Sequence, residues 1–261
     1  MLSKLLKNDL KKNMRILSIL FISTLIIAGM TRCLNELGKS FIFFEIASIF
    51  FESVYYTLAV NIIIHPFLRN FLNFTKSFYS DESYLTHTLP VTKNQLINSK
   101  YLTAIIEISL GFICLIASIL IMYANPTMDQ FLTLFLSTVI SGEFSLYLVL
   151  SLFVILVIVE FLMFISIIYF SIVIAYKSKE KRVFKSFLIT ALTSFISLSI
   201  LAVVMIAVLL INGINLTSTT LTLSYPAFIS IILTGIIVYL LISILFYFLA
   251  KKEFNKGVNV D

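Results

Sequence analysis

Four carboxylates stand inside long apolar runs: Glu45, Glu52, Glu107 and Glu160. A carboxylate at the centre of a bilayer costs roughly 2.5–3.5 kcal/mol, so each must face protein or water, or carry a proton. Glu45 and Glu52 lie seven residues apart and share a helix face, with Ser48, Tyr55 and Tyr56 close by on it. These glutamates are candidates for a translocation path or a dimer interface. Glu107 is seven residues from Lys100, less than two turns, and either pairs with that lysine at the membrane edge or faces the path. Glu160 is the deepest of the four in its run. No Lys or Arg lies within the apolar runs, which leaves protonation, hydrogen bonds from Ser, Tyr or Asn, or a cationic substrate to satisfy them. His65 and His87 are isolated, and Cys33 and Cys114 fall in no Cys-x-x-Cys or Cys/His pattern, so no metal site is expected. The chain has no GxxxxGK[ST] phosphate loop and no HExxH or GxSxG constellation, so neither a catalytic residue nor a cofactor is expected in it.

The elements that must position these groups follow from composition. Of 261 residues, 60% are hydrophobic and 12% charged, and mean hydropathy is +1.06. Soluble domains carry about 25% charged residues, so the solvent for most of this surface is lipid. An all-α polytopic membrane protein is expected, a single transmembrane domain over residues 1–261. Spans are predicted at 16–30, 41–64, 101–124, 146–175, 187–211 and 226–250, each able to cross about 30 Å of hydrocarbon, the first only with help from its flanks. Residues 1–15 set Leu2, Leu5, Leu6 and Leu10 among lysines at helical spacing, the pattern of an amphipathic interfacial helix. Residues 125–145 hold a second such helix: Thr127-Met128-Asp129-Gln130 has capping-box form, and the apolar run after it, 131–140, is too short to span.

The basic residues do not form the stripe that nucleic acid requires; they flank the spans. Five precede span one, four follow span two, five follow span four and three follow span six, so 17 of 19 fall on one side. The positive-inside rule then places both termini in the cytosol of a multi-pass plasma-membrane protein. Lysines outnumber arginines 15 to 4, which suits an AT-rich bacterial genome.

Residues 80–101, SDESYLTHTLPVTKNQLINSKY, are the one polar, patterned stretch between spans. Ser80 can cap a short helix whose first turn carries Asp81 and Glu82. Tyr84, Leu85 and Leu89 give it an apolar face, and Pro90 stops it. Thr92 and Gln95 form a capping box opening the helix of span three. A helix, a kink and a second helix on the cytosolic side form either a docking element or a well-ordered interfacial loop.

The run Asp81-Glu82-Ser83-Tyr84-Leu85-Thr86-His87-Thr88-Leu89-Pro90-Val91-Thr92, followed by Gln95-Leu96 and Ser99-Lys100, resembles a stretch of the permease subunits of ATP-binding-cassette exporters of the second (ABC-2-like) type. Those permeases show an acidic residue, Tyr-Leu-Thr, Leu-Pro-Val-Ser or similar, then Ser-Lys at the third span. The resemblance covers under a tenth of the chain, and the six spans and basic N-terminal helix fit it. It implies a coupling helix, within the cytosolic loop 68–100, that docks on a separate ATPase subunit through Asp81, Glu82, Tyr84, Leu85, Thr86, His87, Leu89 and Pro90. His87 stands where an apolar residue is usual and would offer that partner a polar contact. The partners so implied are the ATPase, which would hold ATP and Mg, a second permease subunit (the same or a related chain) and membrane lipid. The expected function is therefore transport rather than enzymatic. The alternative is a proton-coupled secondary transporter working through the intramembrane glutamates, although no inverted repeat accompanies them.

Overall fold

Apolar runs interrupted by neither Gly-Pro turns nor charge pairs fold as helices, because lipid offers the backbone no other hydrogen-bond partner. The computed structural model describes residues 2–79, 83, 88, 90–123, 126–178, 181–213 and 223–256. Among these residues 91% are helical, in seven helices, six of them long and apolar enough to cross a membrane. The protein is an all-α, multi-pass membrane protein. In chain order the elements are α1 (Leu2–Gly38), α2 (Ile42–Tyr79), α3 (Lys93–Tyr123), α4 (Pro126–Val139), β1 (Ile140–Ser141), α5 (Leu146–Ala175), α6 (Arg182–Ile211), β2 (Leu223–Ser224) and α7 (Tyr225–Asn255).

Three helix boundaries differ from the sequence expectation, each for a local reason. Residues 2–15 do not form a separate interfacial helix; α1 runs unbroken through them into span one. No Gly or Pro occurs from Leu2 to Ala28, and two polar side chains, Asp9 and Asn13, hold this segment against its neighbours. The second helix continues to Tyr79, so residues 68–79 of the expected loop are helical. At 38 residues it is about 57 Å long, far more than the hydrocarbon thickness. Finally, α4 starts at Pro126, which puts Thr127 inside the first turn rather than at the cap; proline at the first helical position needs no N–H.

Two boundaries follow the sequence closely. Thr92 Oγ1 accepts from the Gln95 N–H at 3.3 Å and Gln95 Oε1 accepts from the Thr92 N–H at 3.2 Å, the reciprocal bonds of a capping box at the start of α3. The fourth span, α5, occupies residues 146–175 as predicted.

The chain divides into two compact units, Met1–Asn125 and Pro126–Asp261. In the first, α1, α2 and α3 pack on one another. Gly111 of α3 lets α2 come close: a Cβ there would sit 3.3 Å from the Ile62 carbonyl oxygen. In the second, α5 packs on α6 and α7 around Val159, Met163, Ile167, Ile232, Ile236, Tyr239 and Ile242. The two-residue strands pair in parallel there, Ile140 with Leu223 and Ser141 with Ser224.

Candidate functional site

Helical spacing on three elements builds a polar cluster at the Lys/Arg-rich end of the first unit. On α1, Asp9 and Asn13 are four residues apart and so face one way. On α2, Arg69, Asn70, Asn73 and Ser77 form a stripe at spacings of one, three and four. On α3, Ser99, Lys100, Thr103 and Glu107 do the same.

These stripes meet. Lys100 Nζ donates to Asp9 Oδ1 at 2.8 Å, an ion pair with side chains only 13% and 18% exposed. Asn13 Oδ1 accepts from Arg69 Nε at 3.1 Å and from Asn73 Nδ2 at 2.7 Å. Arg69 also donates, through Nη2, to the Lys12 carbonyl at 2.8 Å. Asn70 Nδ2 donates to Glu107 Oε2 at 2.8 Å and to the Pro66 carbonyl at 2.9 Å. Glu107 is fully buried, and its Oε1 has no hydrogen-bond partner among the described residues. Protonation at that oxygen would remove the buried charge without breaking a bond. A cavity of about 140 Å³ lies among Asp9, Asn13, Asn70, Asn73, Ser99 and Lys100, large enough to admit water to this polar lining.

The same unit has a second polar cluster toward the opposite end. Glu52 Oε1 accepts from the Tyr56 hydroxyl at 3.0 Å and from the Tyr123 hydroxyl at 2.9 Å, which brings the two hydroxyl oxygens to 2.5 Å from each other. Glu52 and Asn70 are 18 residues apart on α2, about 27 Å. Between the clusters, Tyr55 and Ser118 are joined at 3.1 Å, both buried.

The four glutamates singled out in the sequence therefore do not form one site. Glu45 is exposed near the start of α2, while Ser48 and Tyr55 on the same helix turn inward. Glu52 and Glu107 belong to clusters at opposite ends of the first unit. Glu107 does not pair with Lys100, which is taken by Asp9; its bond is to a neutral amide. Glu160 is half-buried on α5 in the second unit and makes no side-chain hydrogen bond among the described residues. Of the expected docking residues, Asp81, Glu82, Tyr84, Leu85, Thr86, His87 and Leu89 lie outside the described residues. Pro90 is described and exposed, in a bend just before the capping box.

Sequence reasoning missed Asp9, Asn13, Asn70, Asn73 and Tyr123. A signal existed for the first two: Asp9 is the single acid among five cations in residues 1–15, and Asn13 follows it by one helical turn.

At the ends of the second unit the charge chemistry is that of an exposed surface. Glu253, beyond the last span, accepts from Lys177 and from Lys256, the latter at 2.6 Å; the Lys177 bond first, then the Lys256 bond, hold its carboxyl down at about 2.

Fold and site together define a multi-pass helical membrane protein with a buried polar network in its first unit. Comparison of the chain with protein-family models, curated proteins and solved structures returned no match.

Proposed function

We propose that the chain is the membrane-spanning permease subunit of an ATP-driven exporter in the plasma membrane, with both termini in the cytosol and ATP hydrolysed on a separate chain. The observation that carries this reading is the frame around residues 80–92. They connect α2, which outruns the bilayer, to α3, which starts at a two-way capping box. At that same end three cross-helix links, Asp9–Lys100, Asn13–Arg69 and Asn70–Glu107, tie α1, α2 and α3 together. A push on the connecting segment would reach all three helices, because buried polar bonds hold one register rather than sliding. The resemblance of 81–100 to the coupling region of ABC-2-like permeases supports the same reading, as do the six spans and the 17 of 19 basic residues on one side. Two copies, or this chain with a related one, would line the path.

The test is purification of the tagged chain from its native membrane with an ATPase carrying a phosphate loop. Tyr84→Asp and Leu85→Asp are expected to abolish substrate-stimulated hydrolysis while leaving the chain in the membrane. Unchanged coupling in both variants would refute the docking assignment.

Full burial of Glu107 with one unbonded oxygen favours a second reading, a proton-coupled secondary transporter. It predicts transport driven by a proton gradient without ATP and lost in Glu107→Gln. Transport that requires ATP and survives this change leaves the first reading standing.

A further inference from the structure

The two polar clusters of the first unit bracket the lipid. They stand about 27 Å apart along α2, close to one hydrocarbon thickness. The Glu52 cluster therefore marks the edge away from the basic residues. Both neighbouring helices give the same level. Tyr123, bonded to Glu52, is the last residue of α3. Arg32, two residues past the predicted end of span one, donates through Nη1 to the Ile121 carbonyl at 3.1 Å. The sequence expectation starts span two at residue 41; these bonds move its start to about Glu52. Residues 42–51 of α2, about 15 Å of helix, then stand past the hydrocarbon beside the end of α1.

The two legs of this hairpin differ. The α1 leg carries Arg32, Asn35 and Glu36, which suit water. Gly38 lets the α2 leg close on it, since a Cβ there would sit 3.1 Å from the Glu45 Cα, and Ser48 of α2 turns inward. The outward face of the α2 leg is Ile42, Phe43, Ile46, Ile49 and Phe50, at helical spacing, 60% to 75% exposed and without a charge. Lipid can cover such side chains along the spans, but it does not reach these. A contiguous apolar face in water marks a protein contact.

Three properties of the face select a second copy of this chain as what covers it. Copies inserted by one charge rule share orientation and depth, so a two-fold axis along the membrane normal sets hairpin against hairpin at equal height. An uncharged face meets itself without repulsion. Five such side chains offer on the order of 600 Å² per copy, most of the roughly 800 Å² each partner gives to a standard interface.

We propose that two copies of the chain pack against each other through Ile42, Phe43, Ile46, Ile49 and Phe50 at the start of α2. The inference rests on the reading that two copies line a path and names the surface that joins them; it does not depend on ATP.

The experiment treats native membranes holding full-length Ile46→Cys, in a Cys33→Ser background, with copper phenanthroline. A disulfide-linked species of twice the chain mass is expected, and none from Asn35→Cys on the other leg. In sedimentation of the detergent-purified chain, Ile46→Asp with Phe50→Asp is expected to weaken self-association at least about tenfold, by setting like charges against each other. No crosslink at position 46, equal crosslinking at 35, crosslinks only to other proteins, or unchanged association of the double variant would each overturn the proposal. A purified chain that still pairs without the position-46 crosslink would overturn the surface alone; a monomeric one would overturn the two-copy reading with it.

Discussion

In residues 1–125 a network of directional polar bonds joins the helices alongside their apolar contacts; in residues 126–261 the described contacts between helices are largely apolar. The first unit buries Asn13, Asn70, Ser99, Thr103, Glu107 and Ser118 and links its three helices through amide, carboxylate, guanidinium and phenol groups. Every buried polar residue described in the second unit is a serine, Ser166, Ser171, Ser186 and Ser197, and α5 meets α7 through one hydroxyl pair, Ser166 with Ser243 at 3.0 Å. Lipid tails are as apolar as the helices, so apolar faces gain little from meeting each other beyond close fit. The second unit therefore relies on shape, with Gly235 letting Met205 and Leu156 approach to within about 3 Å of where a Cβ would stand. The first relies on directional bonds, which fix register. A unit of that kind suits the transmission of a push; one held by shape suits small sliding.

The largest effects should come from breaking each unit by its own chemistry. Met163→Ala, at a fully buried position in the second unit, is expected to cost about 2–5 kcal/mol, measured by unfolding in mixed micelles. In the first unit Asn70→Ala leaves the Glu107 carboxylate buried without its donor and is expected to cost about 2–3 kcal/mol. The double change Asn70→Leu with Glu107→Leu should recover most of that loss, because neither partner is then left unsatisfied. Additive losses in the double variant would show that the pair does not act as a unit. Lys100→Ala, which strands Asp9, belongs slightly below, at about 2 kcal/mol.

How much of this was legible beforehand depends on whether the signal is local. Spans are legible because twenty apolar residues in a row have one outcome in lipid. The start of α3 was legible because Thr92 and Gln95 satisfy each other within four residues. The network was not, because the sequence shows which residues share a face but not which face meets which. Asn13, Asn70 and Asn73 gain meaning only when α1 and α2 are side by side. The continuity of α1 escaped for the same reason: residues 2–15 carry an interfacial pattern, and it takes long-range bonds such as those of Asp9, Asn13 and the Lys12 carbonyl to hold them against other helices. The β1–β2 pairing joins two-residue segments 83 residues apart, which leaves no periodicity to read.

Smaller effects sharpen the contrast at the ends of the units. Tyr123→Phe removes one of two phenol donors from Glu52 and is expected to cost about 1 kcal/mol. In the second unit, Glu253 has a folded-state pKa of about 2, below the ordinary carboxylate value. A depressed pKa gives stability that is present above the unfolded value and lost as pH falls through the folded one. A shallow loss of thermal stability is therefore expected between about pH 4.5 and pH 2, and Lys177→Gln should diminish it.

The most direct test of the account places a photo-crosslinking amino acid at position 84 and irradiates intact cells. The account predicts a covalent adduct whose second chain, identified by mass spectrometry, contains a GxxxxGK[ST] phosphate loop. Adducts formed only with exterior proteins, or none at all with an ATPase, would contradict it.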